Sequence, residues 1–223
     1  MPLASWNILD GHCFHSIRIS TLQYWIIQTF DQNDWNPGEI DAHIKQFDST
    51  LRNQMSRRYR MDSKNVVRTN PDAALTTLRG KTLEERLQEA KPAGATLVIL
   101  MLPSFDRYHY TILKDLADRK FGLRSICIAK PAQFDERSAK MYMTNIVQNI
   151  NFKYGGVNSA VDGIDLSKTL ILGADVVHPP VIAFEECPSI ASMVGSVDAQ
   201  GGRFLGSMRL QSVDKKNREV SSP

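Results

Sequence analysis

Tyr110 and Lys114 stand four residues apart in the run Tyr110-Thr111-Ile112-Leu113-Lys114. On a helix that spacing puts an aromatic ring and an ammonium on one face. The ammonium can pair with a phosphate, and the ring can stack under a nucleobase, a contact worth about 1–3 kcal/mol in single-strand binders. If both lie in the first turns of their helix, free N–H groups and the helix dipole add to the attraction for an anion. Asn145, Asn149 and Lys153 recur at i, i+4 and i+8, one polar stripe along a second helix. Two amides and an ammonium suit phosphate oxygens, each of which accepts several hydrogen bonds. The third group is Gly173-Ala174-Asp175-Val176-Val177-His178-Pro179, where Asp175 is expected to close an apolar strand at residues 169–172. A carboxylate there can be a first ligand for magnesium, but one carboxylate is not a two-metal site. His178, next to Pro179 and Pro180, serves equally well as a turn residue. The other groups have ordinary readings too: a half-buried tyrosine with a surface lysine, and an exposed helix face.

Composition narrows the alternatives. No apolar run reaches the roughly 18 residues of a membrane span, and no signal peptide opens the chain. Neither GxGxxG nor GxxxxGK[ST] occurs, which removes the usual phosphate loops of nucleotide-binding enzymes. Cys13, Cys127 and Cys187 are odd in number and far apart, as reduced thiols of a cytoplasmic or nuclear protein would be, not a disulfide framework or zinc cluster. The net charge of +3 is a weak pointer to an anionic partner. Arg52, Arg57, Arg58, Arg60, Lys64 and Arg68 form one basic stretch, read first as a solvated helix end.

The elements that must hold these residues alternate. Residues 17–30 read as one or two strands. Asn36-Pro37-Gly38-Glu39 opens a helix whose apolar stripe is Ile40, Ile44, Phe47, Leu51 and Met55. Val66-Val67 is a short strand. Thr82-Leu83-Glu84-Glu85 is a capping box opening another helix, ended by Pro92 and Gly94. Residues 95–102 form an apolar strand buried on both faces. A loop at 103–108 leads into a helix from about His109 to Lys120, capped by Gly122. A strand at 124–128 and a helix at 135–150 follow. This is a doubly wound, Rossmann-like α/β fold with a mostly parallel sheet. After Gly155-Gly156 the pattern changes to three strands at 168–173, 191–198 and 203–211. Three strands alone leave a face and an edge open, so the chain reads as a fragment cut inside a second domain.

Taken together the segments resemble the Argonaute family. Tyr110 with Lys114, then Asn151-Phe152-Lys153-Tyr154-Gly155-Gly156-Val157-Asn158, then Leu172 through Pro179, keep the family's order and spacing. Pro188-Ser189-Ile190-Ala191 and Val194-Gly195-Ser196-Val197-Asp198 continue the match, and Ser5-Trp6-Asn7 looks like the linker before the family's MID domain. The N-terminal half looks most like a filamentous-fungal, quelling-type member.

The resemblance implies a linker and first strands at 1–30, a MID domain at 31–156 and the beginning of an RNase H-like PIWI domain at 157–223. It implies RNA silencing, with a pocket for the 5′-phosphorylated end of a small guide RNA. Tyr110 matches the stacking tyrosine, Lys114 and Lys153 the phosphate-binding lysines, and Asn145 a polar pocket residue. Ser104, Phe105, Asp106, Arg107 and Tyr108 occupy the loop that reads the first base. Two positions depart from the family: Ile126 stands where many members have glutamine, and Asn149 where some have lysine. Ser125, Cys127 or a backbone N–H is then left to serve the phosphate. Asp175 matches the first catalytic aspartate and Glu219 an inserted glutamate. The remaining ligands fall beyond Pro223, so this chain is expected to be no enzyme and to need no cofactor. Magnesium, guide-directed endoribonuclease activity, target RNA and silencing-pathway proteins belong to a longer parent. The chain is expected to be a cytoplasmic monomer with no membrane contact.

Overall fold

The computed structural model describes residues 20–29, 37–70, 76–78, 80–104, 106–129, 136–158, 165–179, 187–199 and 201–211, with backbone only for 37–40 and 136–140. Ser5-Trp6-Asn7, Cys13, Asn36, Phe105 and Glu219 lie outside them. The chain divides into two compact units, Met1–Gly156 and Val157–Pro223.

The first unit is built on a four-stranded parallel sheet. Its strands are β1 (Leu22–Gln28), β2 (Val66–Arg68), β3 (Leu97–Leu102) and β4 (Arg124–Ala129), in the order β2-β1-β3-β4. The central strands are apolar throughout because each feeds two cores. Successive side chains of a strand point to opposite faces. Leu22, Tyr24 and Ile26 of β1 and Leu97, Ile99 and Met101 of β3 face one core. There they meet Ile44, Phe47, Leu51 and Met55 of α1 (Pro37–Tyr59), the expected stripe apart from Ile40, whose side chain lies outside the described residues, and Met143, Ile146, Val147 and Ile150 of α4 (Glu136–Lys153). Trp25, Ile27, Val98, Leu100 and Leu102 face the other core. It is closed by Leu83, Leu87 and Ala90 of α2 (Leu83–Ala90), Leu113 of α3 (Arg107–Lys114) and Ala117 of the π-helical run Asp115–Phe121 that continues α3. Helices therefore cover both faces of a parallel sheet.

Local chemistry sets the boundaries. The capping box forms as written: the Thr82 hydroxyl accepts from Glu85 N, and the Glu85 carboxylate accepts from Thr82 N. Gly122 ends the π-helical run in the left-handed region at φ 62°, which favours glycine. The short edge strand β2 is prolonged by the Asn70 side chain, whose amide exchanges two hydrogen bonds with Ile26, at 3.0 and 2.6 Å. The basic stretch is partly structural. Arg58 donates to Gln54 of its own helix and to Thr144 of α4. Arg68 pairs with Asp48, which also accepts from the buried Tyr24 hydroxyl at 2.8 Å.

The second unit holds an antiparallel sheet of β5 (Leu172–Val177), β6 (Ser189–Ser196) and β7 (Phe204–Gln211), in that order. The first strand lies four residues later than the expected 168–173. Residues 166–168 form a turn, in which the Asp165 carboxylate accepts from Ser167 N. Asp175 thus sits inside β5, opposite Ser192, and does not close a strand.

Candidate functional site

The site is assembled on β4, an edge strand flanked by α3 on one face and α4 on the other. Asp106 starts α3, its carboxylate accepting from Tyr108 N at 2.8 Å. It also bonds His109 Nδ1 at 2.5 Å, a partnership that holds the Asp106 carboxyl below its ordinary range. Helix α3 begins two residues earlier than expected. Arg107 and Tyr108, assigned to a base-reading loop, are therefore in its first turn, with Tyr108 exposed and its ring edge-on to His109. Ser104 is exposed ahead of the cap.

Tyr110 follows one turn in and is 41% exposed. Lys114 is the last residue of α3, not in its first turns, so the dipole argument for an anion does not reach its ammonium. The Nζ lies 5.7 Å from the Tyr110 ring centroid, within cation–π range. It donates to both the carbonyl and the hydroxyl of Ser125, each at 2.8 Å. Ser125 is the second residue of β4, so the ammonium lies toward the strand's amino end and not beyond the carboxyl ends of the sheet.

From the other face α4 delivers Lys153. The helix runs three residues past the expected end and stops there for a local reason. Gly155 has φ 78°, and Gly156 has no room for a side chain, because a Cβ would meet Asn151 Oδ1 at 1.9 Å. Asn151 is fully buried and its carbonyl accepts from Gly156 N at 2.9 Å. The Lys153 carbonyl accepts from Arg124 Nε at 2.7 Å, and the Arg124 guanidinium lies 4.3 Å from the Tyr154 ring centroid. Asn145 and Asn149 are exposed on the same stripe of α4 as Lys153.

The two lysines feel each other. Burial lowers the Lys114 pKa first and the Lys153 charge second, while Asp118 and Cys127 pull it back up. Among the described residues neither lysine joins an ion pair. Cys127 is a half-buried thiol, and burial raises its pKa against the pull of Lys114. Ile126 points away into the core shared with α1 and α4 and takes no part. The arrangement joins Tyr110, Lys114, Cys127 and Lys153, with Ser125 beneath Lys114. The Asp106–His109 pair and the Arg124 contact were not anticipated. An Asp followed by His three residues later at a helix start was the available clue to the first.

The proposed catalytic group is different. Asp175 lies in an exposed strand, where Ser192 Oγ donates to its backbone carbonyl at 3.3 Å. His178 Nδ1 is 2.8 Å from the buried Ser189 hydroxyl. Among the described residues no group of three or more His, Cys, Asp or Glu side chains is placed to hold a metal. A lone carboxylate does not satisfy magnesium's octahedral demand, so these residues by themselves do not fit the ion.

The Piwi domain family matches residues 97–220, more than half of the chain. This chain belongs to the Piwi-domain family and is Argonaute-related. Protein argonaute 3 of Oryza sativa subsp. japonica is 30% identical over 205 residues, 86% of this chain and 18% of its own length. Protein argonaute 2 of the same rice is 32% identical over 139 residues, 58% of this chain and 13% of its own length. The chain thus spans less than a fifth of either relative. Two solved structures share the fold. The MID-PIWI domains of N. crassa QDE-2 AGO superpose with TM-score 0.65 at 18% identity, covering 90% of this chain and 54% of theirs. Kluyveromyces polysporus Argonaute with a guide RNA superposes with TM-score 0.67 at 22% identity, covering 92% of this chain and 24% of its own. No helix among the described residues is long and apolar enough to cross a membrane.

Proposed function

We propose that the first unit is a MID domain that binds the 5′-phosphorylated terminal nucleotide of a small guide RNA, in a protein of RNA silencing. The second unit is then the start of a PIWI domain. The observation that carries this reading is the pair Lys114 and Lys153. Two helices bring two cations together beside a part-exposed tyrosine ring, and among the described residues neither has a carboxylate partner. A 5′-phosphate carries up to two negative charges and three acceptor oxygens, which answer both ammonium groups at once. The base would lie on Tyr110. Asn145 and Asn149 are spaced to extend the polar surface, and Cys127 sets its half-buried thiol near Lys114. Ser104, Phe105, Asp106, Arg107 and Tyr108 precede the ring and are the candidates for sensing the first base. The narrower placement among fungal quelling-type members rests on the N-terminal wording alone. Asp175 is proposed to act only in a longer protein that supplies further ligands.

The test is a titration of the chain with each nucleoside 5′-monophosphate and with the matching nucleoside. Charge-assisted hydrogen bonds contribute about 1.5–3 kcal/mol each, so the monophosphate is expected to bind at least about tenfold tighter. Lys114→Ala and Lys153→Ala should each remove most of that difference. Equal affinity for the two forms refutes the reading.

A further inference from the structure

We infer that Arg124 and Ser125, neighbours on β4, are positioning residues that preset the two lysines of the site from opposite faces of one strand. The inference rests on the phosphate-binding reading above. Successive strand residues point to opposite faces, so one dipeptide can reach both flanking helices. Ser125 is fully buried on the α3 side and offers two acceptors, its carbonyl and its hydroxyl, to Lys114 Nζ. An ammonium has three donors, so two are committed to β4 and the third is left for a ligand. The long, flexible lysine side chain thereby loses most of its rotational freedom before binding, and ordering it then costs the ligand less.

Arg124 works on the α4 side. The last carbonyls of a helix have no partner within it. Arg124 Nε supplies one for Lys153, at 2.7 Å. Its guanidinium is itself fixed over the Tyr154 ring, whose hydroxyl is 2.7 Å from Thr96 Oγ1 at the foot of β3. The end of α4 is therefore tied to the strand residue next to the one that seats Lys114, so the backbone of β4 sets where Lys153 leaves its helix relative to Lys114. Neither residue need touch the ligand. Their effect is to keep two like charges at the spacing a single phosphate can bridge.

The test compares Ser125→Ala, Ser125→Thr and Arg124→Met with the parent chain, using uridine 5′-monophosphate and uridine as probes. The quantity read is the ratio of the two affinities, which a merely structural role would leave unchanged. Ser125→Ala and Arg124→Met are expected to lower it about five- to tenfold, in line with a weakened charge-assisted contact, with uridine binding unaltered. Ser125→Thr keeps the hydroxyl and should keep the ratio. In the free chain the ¹⁵N ammonium resonance of Lys114 should be protected from exchange with water and lose that protection in Ser125→Ala. A parent chain with no preference for the monophosphate overturns the phosphate reading, and this inference with it. A parent chain that prefers the monophosphate, with Ser125→Ala and Arg124→Met retaining the full ratio, overturns positioning alone. Arg124 is exposed, so Arg124→Met decides the matter even if Ser125→Ala does not fold.

Discussion

Replacing Gly156 by alanine should damage the first unit more than its position just beyond a helix end would suggest. An added Cβ would stand 1.9 Å from Asn151 Oδ1, 2.4 Å from its Cγ and 2.6 Å from its Nδ2, whereas real Cβ contacts stay beyond about 3.0 Å. The obstacle is the body of a fully buried amide, so it cannot swing aside into solvent. Either the Asn151 side chain leaves its place or the loop after α4 moves outward and strains the bond from Gly156 N to the Asn151 carbonyl. Overpacking costs about 1–3 kcal/mol and a displaced buried polar group about the same. Because relief of one partly replaces the other, the expected loss is about 2–4 kcal/mol.

The double variant Asn151→Ala with Gly156→Ala supplies the control. Removing the amide clears the space, so the pair should cost about 1–2 kcal/mol less than the sum of the single changes. Urea dependence of amide exchange at Gly156 and along α4 reads this within the first unit, without assuming that both units unfold together. The same change should reduce phosphate preference, because Lys153 lies two residues from Asn151. A Gly156→Ala chain within about 0.5 kcal/mol of the parent, or strictly additive variants, would refute the account of this turn.

Two further outcomes follow from the capping and the charges. Thr82→Ala removes the hydroxyl half of the capping box, leaves the bond from Thr82 N to the Glu85 carboxylate, and should cost about 1 kcal/mol by urea unfolding at neutral pH. The Glu85 carboxyl is held below its ordinary 4.5 by the Thr82 backbone N–H first and the Thr82 hydroxyl second, so the stability these contacts add is full above 4.5 and should disappear as pH falls through the lowered folded value. Lys114 gives a slope of the same sign at higher pH, but from a penalty on its charged form instead of a stabilising contact. Its ammonium is disfavoured in the folded chain, so between its lowered folded value and the ordinary 10.5 the unfolded chain binds more protons and stability rises with pH. A bound phosphate should raise that value again. Phosphate-dependent affinity is therefore expected to decline at a pH below 10.5, with proton uptake on binding seen by calorimetry in two buffers.

The parts of the fold that were legible from residues alone are those with a local cause. The stripe from Ile44 to Met55 and the apolar run ending at Leu102 declare themselves because a helix face and a doubly buried strand each leave a period or a run. Thr82 with Glu85, and Gly122, are read directly from capping chemistry. What escaped was set by contacts distant in sequence. The end of α4 depends on Asn151 meeting Gly156 and on Arg124 reaching Lys153, and no periodicity contains those contacts. Helix α3 starts ahead of the expected His109 because the Asp106 carboxylate caps it. The displacement of β5 has a similar origin. Thr169 and Leu170 look like strand residues, yet ladder pairing with β6 begins only at Leu172. Of the proposed site, Tyr110, Lys114 and Lys153 have ordinary readings on residue type and spacing, and only their order relative to the segments at 151–158 and 172–179 singles them out. That Ser125 underlies Lys114 needed the registry of β4 against α3.

That registry also explains why the site can sit at a sheet edge without the usual glycine-rich loop. A phosphate loop gathers backbone N–H groups at the start of a helix; here Lys114 and Lys153 are each the last residue of an α-helix. The helical path continues past Lys114 through Asp115–Phe121, and its ammonium is seated on Ser125 of β4, so on the proposed reading the two ammonium groups, not helix N–H groups, would attract the anion. Such a site is costly when empty: Lys114 is partly desolvated and repelled by Lys153, and both effects lower its pKa. On the proposed reading, a phosphate lying between the two charges would remove the repulsion, so the binding energy would include relief of a penalty already present in the free chain. This predicts a sharper dependence on phosphate charge than on base identity. Replacing the 5′-phosphate by a singly charged methyl phosphate ester should weaken binding more than exchanging one base for another over Tyr110, and the reverse order in the same titration would show that stacking, not the lysine pair, dominates.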